Sequence, residues 1–149
     1  MQQIVVGVDG SACAQAALDV AVDEAKLRGA KLHLVCAWQF PGAVYGGAGF
    51  APPLDDSVVE SVQRTARGIL DQALERVHQR HPDVSCDGEV VEGQAASAIL
   101  SHAGGASLIV VGNRGHGGFG SLLLGSVSQQ IVHHANCPVL VVREGVTAG

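Results

Sequence analysis

Five short apolar, largely β-branched runs alternate along this chain with four stretches of helical periodicity, and that alternation leaves few folds open. The runs are Gln3 to Val8, Leu32 to Ala37, Val84 to Val91, Leu108 to Val111 and Pro138 to Val142. The first, second and fourth suit strands covered on both faces, whereas Val84 to Val91 is more polar. Between the first two, Ala14, Ala17, Leu18, Ala21, Val22 and Ala25 repeat at helical spacing from Ser11 to Arg28, with Ser11 as the cap and Gly29 as the stop. A longer helix is expected from Asp55 to Arg80 on Val59, Val62, Ala66, Ile69, Leu70, Ala73 and Val77, ended by Pro82. Shorter ones are expected around Gln94 to Ala103 and Val127 to Ala135. Strict β-α alternation with right-handed crossovers predicts an α/β fold: a single doubly wound sheet of five mainly parallel strands with about four helices.

Ligands of such sheets sit beyond the carboxyl ends of the strands, at the point where the strand order reverses. Asp9, Ala37 and Gly112 all fall at such ends, so three distant segments converge on one crevice. The last of them opens the most informative local pattern, Gly112-Asn113-Arg114-Gly115, then nine residues, then Gly125-Ser126. Glycines leave backbone N–H groups bare, and a helix opening at Ser126 points further donors, those of Val127 and Ser128, and a positive dipole end at the same place. That is an arrangement for phosphate, which makes a nucleotide the expected ligand. Arg114 and His116 are the basic side chains of this loop. Ser126 also forms an S-x-x-Q capping box with Gln129, compatible with phosphate contact when the site is filled. Asp9 reads as a cap of the turn into the first helix, as an acceptor for ribose hydroxyls, or as a holder of a phosphate-bound metal.

Better-known phosphate motifs do not account for the loop. The lysine of G-x-x-x-x-G-K-[ST] is missing, because Lys26 and Lys31 are the chain's two lysines. Gly115, Gly117 and Gly120 spell G-x-G-x-x-G, but after the fourth strand and without an acid some 20 residues on. A formal net charge of −5 and the absence of a basic patch argue against nucleic acid. No apolar run of bilayer-spanning length and no signal-peptide pattern over Met1 to Gly10 is present, so a cytoplasmic chain with no membrane partner is expected. The 149 residues, 47% of them hydrophobic, suit one domain over 1–149.

Cys13, Cys36, Cys86 and Cys137 include no C-x-x-C pair and read as buried free thiols. The histidines suggest no metal centre: His78 and His81 stand three apart, His133 and His134 are adjacent near Cys137, and neither set supplies four converging ligands. Neither a G-x-S-x-G elbow nor a carboxylate pair demands catalysis. The long irregular stretch from Trp38 to Pro53 holds Trp38, Phe40, Tyr45 and Phe50 and leaves the sheet at the same edge as the crevice, as a lid or partner surface would.

These residues resemble the universal stress protein family in its nucleotide-binding branch, whose signature G-x2-G-x9-G-[ST] is matched by Gly112, Gly115, Gly125 and Ser126. The resemblance spans nearly the whole chain: Ile4 to Ser11 looks like the family's opening strand, Leu32 to Ala37 its second, and Asn136 to Val142 its closing segment. It implies an adenine nucleotide alpha hydrolase-like fold and an ATP site with Mg²⁺ or Mn²⁺ on the phosphates. Asp9 and Gly112 would contact ribose, the Ala37 backbone would meet adenine, and Gly115, Gly125, Ser126 and Val127 would hold phosphates. Gly7, Val8, Val111, Arg114 and Ser128 complete the expected nucleotide-binding set. It also implies a homodimer through the Pro138 to Val142 strand, otherwise an exposed sheet edge.

The leading expectation is an ATP-binding regulatory protein of stress responses with little or no catalysis, since neither the lysine nor an evident general base of fast phosphoryl transfer is present. The alternatives are a slow ATP hydrolase or nucleotidyl transferase using His116 or Asp9, and a nucleotide-free dimeric interaction module docking through the Trp38 to Pro53 loop.

Overall fold

The computed structural model describes residues 2–39, 56–114 and 124–144. Five strands, β1 (Gln3–Gly7), β2 (Lys31–Trp38), β3 (Cys86–Glu92), β4 (Leu108–Gly112) and β5 (Val139–Val142), form one sheet in the order β3-β2-β1-β4-β5. Every pairing is parallel. The helices α1 (Ala12–Arg28), α2 (Asp56–Arg80), α3 (Ala95–Ser101) and α4 (Ser126–His134) supply the crossovers. The chain builds outward from β1 to β3, then returns to the other side of β1 for β4 and β5. The strand order therefore reverses between β1 and β4.

Alternate residues of the central strands feed two cores. Ile4 and Val6 pack with α1 and α2 residues such as Leu18, Val22 and Leu70, while Val5, Val35, Ile109 and Val111 pack with Ile99 of α3 and Ile131 of α4. Ile4, Val5 and Val6 are all wholly buried, which is why β1 shows an unbroken apolar run. Full burial of such side chains stabilises by about 1.5–3 kcal/mol each, so the central strand anchors both layers. β3 pairs only with β2 among the described strands, and none of its residues is fully buried. Its polarity is that of a sheet edge.

The helix signals hold at α1: the Ser11 hydroxyl accepts from the Ala14 N–H at 3.2 Å, and Gly29 closes the helix in the left-handed region at φ 61°. At α4 the expectation fails. Gly125, not Ser126, is the cap residue, and no side chain caps it. Ser126 is already helical, and Gln129 sends its side-chain amide to the Leu124 carbonyl at 3.3 Å instead. Trp38 is a second correction. It ends β2 at 8% exposure inside the core, its carbonyl accepting from the Gly93 N–H at 2.8 Å, because the strand's pairing with β3 runs through Glu92. The rest of the aromatic loop, Phe40 to Pro53, lies outside the described residues. Of the cysteines, all free, Cys13 and Cys36 are buried as expected, but Cys86 and Cys137 are partly exposed, since one sits on the edge strand and the other in the approach to β5.

Candidate functional site

The strand reversal leaves a cleft at the carboxyl ends of β1 and β4. A cavity of ≈ 90 Å³ there is lined by Gly7, Val8, Asp9, Ser11, Ala14, Val35, Ala37, Ala95, Ile99, Val111, Gly112, Arg114 and Val127. It adjoins a more open space of ≈ 490 Å³ lined by Ala37, Trp38, Gln39, Gly93, Gln94, Ala95, Ala96, Ser126, Val127 and Gln130. Eight of the expected nucleotide residues thus line the first space: Gly7, Val8, Asp9, Ala37, Val111, Gly112, Arg114 and Val127. Ser126 lines the second. Gly125 and Ser128 line neither space and instead bond the Asn113 carbonyl, while Gly115 and His116 lie outside the described residues.

Each wall has a local cause. Asp9 follows β1, and its carboxylate accepts from the Ser11 N–H at 2.8 Å, so it does form the turn into α1. Gly10 completes that turn at φ 82°, a conformation that suits glycine. Gly112 ends β4 so close to α1 that a Cβ there would lie 2.7 Å from the Cys13 Cβ and 2.8 Å from the Cys13 carbonyl carbon. Only a residue without a side chain lets the strand end meet the start of the helix.

Asn113, which was part of the loop motif but not among the expected binding residues, organises the rest. It is buried at 7% exposure. Its side-chain oxygen accepts from the Cys13 thiol at 3.3 Å, and its N–H donates to the Val142 carbonyl at 2.8 Å. Its own carbonyl accepts from the Gly125 N–H at 2.6 Å and from the Ser128 hydroxyl at 3.2 Å. One residue joins α1, β5 and the start of α4. The signal in sequence was an amide side chain directly after a buried strand, where a polar group must find partners.

Two features give the cleft its chemistry. The first intrahelical bond of α4 runs from the Gln129 N–H to the Gly125 carbonyl at 3.0 Å, so the N–H groups of Ser126, Val127 and Ser128 come before it and carry the positive end of the α4 dipole. Among the described residues, Arg114 Nε is the one buried side-chain nitrogen or oxygen without a hydrogen-bond partner, and Arg114 lines the cavity. A buried guanidinium N–H is costly unless an acceptor meets it. On the other side, burial and then the negative charge of Asp9 push the Cys36 thiol up to about 11. The cavity is therefore lined by a carboxylate, Asp9, suited to hydroxyls, and by Arg114, whose Nε has no partner and suits an anion.

The model of the universal stress protein family matches residues 1–143. The chain belongs to the universal stress protein family. A universal stress protein of Mycobacterium tuberculosis is 38% identical to it over 141 residues, covering 95% of this chain and 45% of the relative. The chain thus spans about half the length of the curated relatives it matches. A universal stress family structure from Burkholderia pseudomallei is 30% identical, with a TM-score of 0.70 and 95% of both chains covered. A universal stress protein structure in complex with cAMP is 27% identical, with a TM-score of 0.70, covering 97% of this chain and 98% of that one. No helix among the described residues of this universal stress protein is long and apolar enough to cross a membrane.

Proposed function

We propose that this universal stress protein binds an adenine nucleotide, ATP with Mg²⁺ or Mn²⁺, in the cleft between β1 and β4. In this reading it serves as a nucleotide-dependent regulator of a stress response with little or no catalysis. The observation that carries the reading is the buried, unpartnered Arg114 Nε beside the amino end of α4, which together ask for an anion. Asp9 would supply an acceptor for ribose hydroxyls and the Ala37 backbone would meet the adenine edge, both residues lining the cavity, while Gly112 lets β4 end against α1. A family member of similar length holding cAMP supports the same ligand class. The metal would ride on the phosphates, with Asp9 the carboxylate of this cavity.

Calorimetric titration with ATP and magnesium tests the reading, alongside Gly115→Ala and a check for nucleotide carried through purification. Affinity near micromolar, or about −8 kcal/mol, that is lost in the variant supports it. Absence of binding to any adenine nucleotide overturns it. Turnover well above background that disappears in His116→Ala would instead favour the hydrolase reading.

The β5 edge supports a homodimer in the same proposal. β5 pairs with β4 alone among the described strands, and Val139, Leu140 and Val141 are half-buried, leaving an apolar edge that a second copy would cover. Sedimentation velocity checks this: a dimer is expected, weakened by a Leu140→Lys substitution, and a monomer at all concentrations overturns it.

A further inference from the structure

At the amino-terminal half of the sheet, away from the nucleotide cleft, β2, β3 and α3 bring together residues that lie far apart in the chain. Parallel pairing sets His33 beside Asp87 and Val35 beside Glu89, so His33, Asp87 and Glu89 share the face of the sheet that α3 covers. His102 caps the carboxyl end of α3 above them. The two imidazoles stack at 5.7 Å between centroids, with planes 18° apart. A nitrogen of each ring and a carboxylate oxygen of Glu89 all lie within 4.8 Å of one another.

The hydrogen bonds around this trio fix its chemistry. His102 Nδ1 lies 2.9 Å from the Ala98 carbonyl, an acceptor only, so Nδ1 carries the proton. The Ser101 hydroxyl donates to the same carbonyl and takes a share of that N–H at 3.2 Å. With Nδ1 protonated, His102 Nε2 would turn a lone pair toward Glu89 Oε2 at 3.0 Å. Two electron-rich atoms at that separation need a cation between or on them, either a second proton or a metal ion. His33 repeats the pattern. Its Nδ1 lies 2.6 Å from Asp87 Oδ1, while Lys31 holds the other Asp87 oxygen at 3.0 Å, leaving His33 Nε2 with the lone pair. In each imidazole one nitrogen is oriented by an acceptor and the other is left to bind, the arrangement that prepares histidines for metal.

We propose that His33, Glu89 and His102 form a zinc site that ties the edge strand β3 to β2 and to the end of α3. Two imidazoles and a carboxylate suit Zn²⁺ and exclude Mg²⁺ or Ca²⁺ as the preferred ion, since those ions favour all-oxygen sets. Ligands bound at about 2.0–2.1 Å in a tetrahedron stand roughly 3.3 Å apart, so the His102 to Glu89 spacing already fits and the widest pair closes by less than about 1.5 Å on the same geometry. Glu89 and His102 are solvent-accessible, with side chains 58% and 25% exposed, which gives the ion an entry path, and water completes the tetrahedron. Asp87 acts through His33 as a positioning residue.

The test is calorimetric titration of the chelator-stripped, nucleotide-free full chain with zinc chloride at neutral pH, on wild type, Glu89→Gln, His102→Gln and His33→Gln. One zinc per chain is expected, weakened at least about ten-fold by each substitution, with a rise in melting temperature on zinc addition in the wild type alone. Cobalt(II) in place of zinc should give the visible absorption of a tetrahedral ion, absent from the variants. Because the Glu89 side chain is 58% exposed, Glu89→Gln should melt like wild type without metal, which separates loss of a ligand from loss of fold. No binding to wild type overturns the proposal. So does binding that survives all three substitutions, which would place the ion on His78, His81, His133 or His134.

Discussion

The carbonyl of Asn113 accepts the Gly125 N–H at 2.6 Å, so the residue after β4 and the residue before α4 are joined directly. The Ser128 hydroxyl reaches the same carbonyl at 3.2 Å and the Gly125 carbonyl at 3.1 Å. These bonds hold the end of β4 against the start of α4.

Ser128→Ala should destabilise the chain by about 1 kcal/mol, the usual net value of one hydrogen bond. The N–H groups of α4 would then be less firmly aimed at the cleft, so ATP affinity should fall as well. Urea denaturation and calorimetry check the pair of effects. Stability equal to wild type would show that the Gly125 contact suffices alone.

Gly112→Ala should lose about 1–3 kcal/mol, the range for overpacking, because the new Cβ meets Cys13 backbone at 2.8–2.9 Å. Gly7→Ala should cost less. Its Cβ would press on Ile99 Cδ1 at 2.6 Å, the movable end of a side chain. Thermal melts of the two variants test the order, and a larger loss at Gly7 would contradict it.

Arg114→Ala should weaken ATP by roughly 10- to 150-fold, corresponding to about 1.5–3 kcal/mol for a charge-assisted hydrogen bond. Adenosine, which has no phosphate, should bind the variant as it binds wild type. Equal losses for both ligands would remove Arg114 from the phosphate end of the site.

Cys36 offers an electrostatic readout of Asp9. Its folded-state value of about 11 lies above the ordinary 9.0, from burial first and the Asp9 charge second. Between those values the unfolded chain releases the thiol proton while the folded chain keeps it, so stability falls as pH rises from about 9 to about 11. Cys36→Ala should lessen that alkaline decline in a melting series, leaving the part contributed by Cys86, whose thiol burial and then the Asp87 charge push up to about 12. Asp9→Asn should flatten it partly, because burial still holds the thiol up; an unchanged decline in both variants would refute the assignment.

Much of the fold was legible because buried parallel strands and amphipathic helices carry different periods. The expected β1, β2, β4 and α1 each end within one residue of the observed bounds, and Gly29 stops its helix where anticipated. β3 begins at Cys86 rather than Val84, since an edge strand lacks the apolar run that marks its start. Ser126 misled because a capping-box pattern records local hydrogen-bond capacity, whereas the entry to α4 is set by Asn113, thirteen positions back. Trp38 was assigned to the loop because its neighbours are glycine- and proline-rich, yet pairing with β3 draws it into the core.

The candidate cleft divides the same way. Asp9, Ala37 and Gly112 were placed at strand ends by alternation alone, because a parallel doubly wound sheet puts the ends of adjacent strands on one side. That Arg114 Nε is buried without a partner, that Asn113 links three elements, and that His33 and Glu89 meet His102 were decided only in the tertiary structure. Local periodicity determined which segments became strands and helices and which face each buries. Strand register and the close approach of helix ends decided which distant side chains meet, and these depend on packing between segments that share no sequence neighbourhood.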